Sequence, residues 1–194
     1  MVDRRRIYAG FFDVDILHLR HELFRGGWSA VLKREVLLQR RAVCVLPYDP
    51  IADRVVLVEQ FRAGCVDDPG RPWLVEAVAG LMEQGESPED VARREIFEEC
   101  GLECRRLDRA GAYRSSPGCT SEMVESFVGE VTAPEAEGVF GHEGEDEDIR
   151  AFAVPAAEAY GWIADGRITA ANTIVPLQHL MLHRDRLRRD WATP

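Results

Sequence analysis

The chain has 194 residues, enough for one domain of ordinary size with an appendage and too few for two. Its 46% hydrophobic content excludes a wholly disordered chain, and no apolar run approaches the roughly 18 residues of a membrane span. Thirty-four acidic against 24 basic side chains leave a net charge of −10, which repels nucleic acid and anionic lipid. An acidic chain that handles a phosphate must invert its local field, and a divalent cation is the usual means. Lys33 is the single lysine, and every other basic residue is Arg. The apolar stretch after the N-terminal arginines is broken at Asp13 and Asp15, which predicts no export signal. The five cysteines, 44, 65, 100, 104 and 119, are odd in number, so a reducing cytoplasm is expected. Cys100 and Cys104 lack the second pair that a zinc site needs.

In chain order, residues 12–24 alternate in places, and residues 28–38 follow the turn signal Gly26-Gly27, so a hairpin is predicted. Residues 42–46 and 55–59 are β-branched apolar runs, and the Pro- and Asp-rich residues 47–53 form a turn between them. Residues 73–79 read as one further strand. The first clear helix starts after Gly85-Glu86. Ser87 caps it, Pro88 suits its first position, and Glu89 and Asp90 favour its positive end. Gly101 is its natural stop. Strands are predicted at 103–114 and 122–132, a long acidic loop at 133–148, and a strand at 149–154. Helices are predicted at 156–164 and 172–189, the second tolerating Pro176 only near its first turn. Strands, helix, strands and helices in that order predict an α+β or mixed α/β sandwich. Residues 1–40 read as an appended antiparallel β-unit and 41–194 as the main domain.

The most informative segment runs from Gly80 to Leu102. On a helix Glu95 and Glu99 lie four apart and Glu98 lies three from Glu95, so all three share one face. Like charges at this spacing destabilise a bare helix by a few tenths of a kcal/mol per pair. A hard divalent cation bound by carboxylate oxygens supplies an offset, magnesium typically taking one or two carboxylates plus substrate phosphates; a solvated acidic helix face is the alternative. Val91 and Ile96 anchor the opposite side. Arg94 can pair with Glu98 or reach back to Glu86.

Gly80, Glu86, Arg94, Glu95, Ile96, Glu98, Glu99, Gly101 and Leu102 meet every fixed position of the Nudix box, and the sequence resembles the Nudix hydrolase family. The resemblance implies the Nudix αβα sandwich, with the box forming loop, helix and loop. It implies Glu95, Glu99 and the Ala79 carbonyl as metal ligands with Glu98 adjoining, and two or three Mg²⁺ ions for which Mn²⁺ can substitute. The implied reaction is hydrolysis of a nucleoside diphosphate linked to another group.

Residues outside the box point to a substrate. Pro117 lies 16 residues beyond Gly101 in Ser115-Ser-Pro-Gly-Cys-Thr-Ser-Glu122, a placement similar to the ADP-ribose pyrophosphatase branch. Gly10-Phe-Phe, Arg34-Glu, Leu46-Pro-Tyr-Asp-Pro, Val58-Glu-Gln-Phe-Arg62, Trp73-Leu-Val-Glu-Ala-Val-Ala-Gly80 and Glu147-Asp-Ile-Arg150 extend the likeness over nearly the whole chain. Carried over by position, Phe11 stacks on adenine, Arg62 contacts diphosphate or ribose, Arg34 reaches into the partner subunit's site, and Glu122 binds near the terminal ribose. Cys119 departs from the glycine usual in that turn. Five acids between residues 143 and 148 form the other cluster. Aligned on Glu147-Asp-Ile-Arg150, Glu145 is the general base, with Glu143 and Asp146 as neighbouring alternatives, while Glu98 and Glu99 assist. Glu147 touches a metal or holds the loop. The implied products of ADP-ribose are AMP and ribose 5-phosphate. GDP-mannose, ADP-glucose and diadenosine polyphosphates are rival substrates, and a non-hydrolytic sensor is the rival outside enzymes. A homodimer with N-terminal strand exchange is implied, with no nucleic-acid or membrane partner.

Overall fold

The computed structural model describes residues 1–68, 72–132, 137–141 and 147–191. Two compact units emerge: Met1–Arg41 with Tyr113–Met123, and Ala42–Ala112 with Val124–Pro194.

The first unit is a three-stranded antiparallel sheet of β1 (Asp3–Ala9), β2 (Asp13–Leu19) and β3 (Leu32–Leu38) in sequence order. Strand β1 is not foreseen from sequence, because its three arginines resemble a charged terminus. They are instead partners: Asp15, 1% exposed on β2, takes hydrogen bonds from both Arg4 and Arg6. The Gly26-Gly27 signal is real, with both residues at positive φ (85° and 81°) where a side chain is strained. The segment 113–123 joins this unit because Leu37 bonds its backbone to Cys119 (2.8 Å) and Ser121 (3.0 Å). An N-terminal boundary drawn at residue 40 does not foresee this second piece.

The second unit is built on a mixed sheet. It contains β4 (Ala42–Asp49), β5 (Arg54–Phe61), β6 (Trp73–Glu76), β7 (Val78–Leu81), β8 (Leu107–Tyr113), β9 (Val124–Glu130), β10 (Gly138–Phe140) and β11 (Ile149–Pro155). The order is β10-β11-β5-β4-β9-β8, with β6 on β5 and β7 on β4. The β4–β9 pair is parallel, whereas β4 pairs antiparallel with β5 and β7. Residues 73–79 are two strands rather than one. The chain switches partner at Ala77, whose amide donates to Thr173 Oγ1 at 2.8 Å. Strand β10 lies inside the predicted loop at 133–148.

Helix α1 (Pro88–Cys100) starts as predicted, with Ser87 Oγ accepting the Asp90 amide, and stops at Gly101 in the left-handed conformation, φ 64°. It packs on one sheet face through a core that includes Val91, Ala92, Ile96, Val43, Val45 and Phe127. Helices α2 (Ala156–Ala164) and α3 (Ala171–Trp191) cover the other face around Leu46, Leu57, Leu177 and Leu180. The layers are helix, sheet and helix, as the resemblance implies. Pro176 sits in the second turn of α3, past the predicted first turn. It forgoes one helical hydrogen bond but is buried. Among the described residues no helix is long and apolar enough to cross a membrane.

Candidate active site

The site grows from the junction of β7 and α1. Residues 82–87 turn the chain so that the first helical turn follows Ser87. Within that turn Glu86 accepts the Glu83 amide at 2.8 Å. Arg94 then ties the loop to the helix. Its Nε lies 3.1 Å from Glu86 Oε1, and its Nη1 lies 2.6 Å from Glu95 Oε1 and 3.0 Å from Glu98 Oε2. Both partners predicted for Arg94 are therefore met at once, with Glu95 as a third.

The three helix carboxylates do not share one environment. Glu98 is 40% exposed, whereas Glu95 and Glu99 are buried at 9% and 3%. Helical spacing groups them, but the sheet covers only the side that Glu95 and Glu99 present. Gly80 makes room for this. A Cβ there would fall on the Glu95 carboxylate, so only glycine lets Glu95 lie against β7. The Ala79 amide donates to the Glu99 carboxylate. Burial is the largest influence on both acids, and the charges of Glu98 and Glu147 add to it at Glu95, pushing its carboxyl up to about 7. Burial, followed by the charges of Glu95 and Glu147, pushes Glu99 well above the usual carboxylate range, against the opposing pull of Arg62.

These features fit a hard cation. Glu99 Oε2 is buried with no hydrogen-bond partner, and a buried acceptor left unmade costs about 1–3 kcal/mol. Glu95 and Glu147 repel its charge, and carboxylate oxygens are the donors Mg²⁺ takes. Among the described residues no group of three acids, His or Cys stands ready as a metal cage. Arg94 holds one of the oxygens that such a cage would use.

Arg62, just past β5, donates from Nε to Glu76 Oε2 at 2.6 Å. Glu76 is 4% exposed and stands outside the Gly80 to Leu102 motif that the sequence displays. Its signal is a lone acid in the apolar run Trp73-Leu-Val-Glu-Ala-Val-Ala, where an unpaired charge is not expected. Phe11, Arg34, Pro117 and Glu122 all belong to the first unit. Phe11 is 80% exposed and meets Phe12 edge-to-face at 4.8 Å. Arg34 on β3 is exposed, and its Nη1 bonds the Lys33 carbonyl at 2.8 Å. Pro117 stands exposed in the turn before Thr120, and the Glu122 amide donates to Thr120 Oγ1 at 3.1 Å. Cys119 in that turn is exposed and free. Glu145, with Glu143 and Asp146, lies outside the described residues.

The sequence model of the NUDIX domain matches residues 38–173, well over half of the chain. The chain belongs to the Nudix hydrolase family. An ADP-ribose pyrophosphatase of Escherichia coli (strain K12) is 44% identical to this Nudix chain over 192 residues, covering 99% of it and 92% of the relative. An ADP-ribose pyrophosphatase of Haemophilus influenzae is 39% identical over 194 residues, covering 98% and 89%. A GDP-mannose pyrophosphatase of Cronobacter sakazakii is 36% identical over 171 residues, covering 85% and 86%. A crystal structure described as an ADP compounds hydrolase superposes on 97% of the chain and 94% of its own, with a TM-score of 0.73 at 20% identity. That last likeness concerns the Nudix fold.

Proposed function

We propose that this enzyme hydrolyses ADP-ribose to AMP and ribose 5-phosphate with Mg²⁺. The buried pair of Glu95 and Glu99, with an unmatched oxygen in the box of a chain similar to ADP-ribose pyrophosphatases over nearly its full length, carries the reading. Glu95, Glu99, Glu147 and the Ala79 carbonyl would hold two or three ions, with Glu98 assisting, and Mn²⁺ would substitute. When bound, these ions neutralise the diphosphate and acidify the attacking water. Arg94 keeps Glu86, Glu95 and Glu98 in register. Arg62, itself held by Glu76, binds diphosphate or ribose. Glu145 takes the proton from the attacking water and needs to lie one hydrogen bond away. Phe11 stacks on adenine, and Glu122, beyond the Pro117 turn, binds near the terminal ribose.

The working form is a homodimer in which the N-terminal strands exchange and Arg34 serves the partner's site. Phe11, Phe24, Trp28 and Val31, all more than half exposed, support this. So does the charge: the first unit carries ten basic and six acidic side chains, the second fourteen and twenty-eight. Residues 1–40 supply the dimer unit and 41–194 the catalytic domain. Five free thiols fit a reducing cytoplasm.

The test is turnover with Mg²⁺ across ADP-ribose, GDP-mannose, ADP-glucose and diadenosine polyphosphates, with products resolved by chromatography. ADP-ribose well ahead, yielding AMP and ribose 5-phosphate, is expected. A flat panel, or GDP-mannose in the lead, overturns the substrate assignment.

A further inference from the structure

We propose that Phe140, seated against Gly101 at the end of the carboxylate helix, is a positioning residue that fixes Glu147 beside Glu95 and Glu99. The inference rests on the reading of those three acids as the metal-holding cluster.

The chain of contacts is continuous. Gly101 ends α1 at φ 64°, and a Cβ there would stand 3.0 Å from Phe140 Cε1. The ring thus reaches the helix terminus more closely than any residue with a side chain at 101 would comfortably allow. On its other side the ring folds over Gly138, where a Cβ would stand 2.8 Å from its Cζ. Phe140 also packs on the core that holds Val91 and Ile96, the apolar face of the same helix. It is paired with the fully buried Ile149 across β10 and β11.

The next residue carries the constraint to Glu147. Gly141 has φ 122°, a conformation that side chains rarely adopt. A Cβ on it would lie 2.6 Å from the Glu147 carbonyl oxygen and 2.9 Å from the Glu147 Cβ. The two arms therefore touch at Gly141 and Glu147. Glu147 is thereby held in the same stack that ends on Gly101, two residues past Glu99. Val139 is 72% exposed, and Arg150 ties Glu137 and Glu59 at 2.5 Å through exposed pairs, which contribute little. The ring of Phe140 is thus the gauge between α1 and Glu147.

The experiment measures Mn²⁺ binding to the full-length protein by electron paramagnetic resonance and calorimetry, without substrate. The variants are Phe140→Ala, Phe140→Leu, Gly141→Ala, Glu147→Gln and the double variant Phe140→Ala with Glu147→Gln, each checked by thermal unfolding. Residues that orient metal ligands typically contribute about 10–100-fold in affinity. Phe140→Ala and Gly141→Ala are expected to weaken binding by that much, and Phe140→Leu is expected to recover most of it. The double variant should bind no more weakly than Glu147→Gln alone, because Phe140 acts through Glu147. Wild-type affinity in Phe140→Ala beside a weakened Glu147→Gln overturns the positioning role and leaves the metal reading standing. Additive losses in the double variant also overturn it. Wild-type affinity in Glu147→Gln removes Glu147 from the metal cluster and the inference with it. If Phe140→Ala does not fold, Gly141→Ala decides: wild-type affinity there overturns the proposal.

Discussion

Glu99→Gln should stabilise the metal-free enzyme while removing its response to metal. In the folded chain the Glu99 carboxylate is 3% exposed, has one oxygen without a partner and faces the charges of Glu95 and Glu147. At neutral pH it either keeps a repelled charge or takes up a proton, and both cost folding free energy. Gln is neutral, retains an acceptor for the Ala79 amide, and puts an NH₂ donor into a negative field. The cost relieved is that of one buried unmatched acceptor, about 1–3 kcal/mol. For a chain of this length each kcal/mol moves Tm by about 2–4 °C, so the metal-free variant should melt about 2–12 °C higher. Saturating Mg²⁺ closes or reverses the gap. At a hundredfold excess over Kd it stabilises the wild type by about 2.7 kcal/mol and should do far less for the variant. The assay is a pair of calorimetric melts, one in chelator and one in Mg²⁺, beside turnover of ADP-ribose, which should fall by orders of magnitude. A metal-free Tm equal to or below wild type refutes the reasoning, because it means the buried carboxylate is already satisfied.

Gly80→Ala should weaken Mn²⁺ binding at least tenfold with unchanged far-UV circular dichroism, since the new Cβ takes the place of the Glu95 carboxylate rather than of the core; normal binding would mean that Glu95 is not held against β7. Arg94→Lys should lower kcat/KM by at least tenfold, because a point charge cannot bridge Glu86, Glu95 and Glu98 as the planar fork does. Asp53→Asn tests pH dependence. Burial opposes the Asp53 charge, but the Arg184 and Tyr48 hydrogen bonds and the Arg184 and Arg188 charges outweigh it and hold the carboxyl below its ordinary 3.8. Its stabilisation is therefore full above the ordinary carboxyl value and is lost as pH falls through that value toward the folded one. The variant should lose about 1.5–3 kcal/mol at pH 7, with the gap closing below about pH 4 in melts across pH. A gap that widens on acidification contradicts this.

What the sequence revealed follows the range of the interactions concerned. Helix α1 was legible to the residue, because Ser87, Pro88 and Gly101 act on the backbone within one turn. The break at Ala77 was not, because its cause is Thr173, 96 positions away. Strand β1 is illegible in the sequence because its arginines make sense only opposite Asp15, and β10 because three residues carry no periodicity of their own. In the site, spacing grouped Glu95, Glu98 and Glu99 on one face, but only the sheet distinguishes the two buried acids from the half-exposed one. In the sequence Gly80 is a box position; that it leaves room for a carboxylate is visible only once β7 and α1 are packed together.

The grouping of like charges on α1 is sustained by the opposite face of the same helix. Val91, Ala92 and Ile96 are fully buried, and burying a Val or Ile side chain contributes about 1.5–3 kcal/mol each. The Ser87 cap adds about 1 kcal/mol, and Arg94 neutralises part of the repulsion locally. Against this, like-charge pairs at helical spacing cost a few tenths of a kcal/mol each, and the unmatched Glu99 oxygen about 1–3 kcal/mol. The apolar face outweighs the acidic one, so the helix holds the carboxylates together before any cation arrives. Binding then has little backbone to order, and most of the electrostatic gain goes into affinity rather than into folding the site. This is also why substitutions of Glu95, Glu99 or Gly80 should separate function from fold, whereas truncation of Ile96 should remove both.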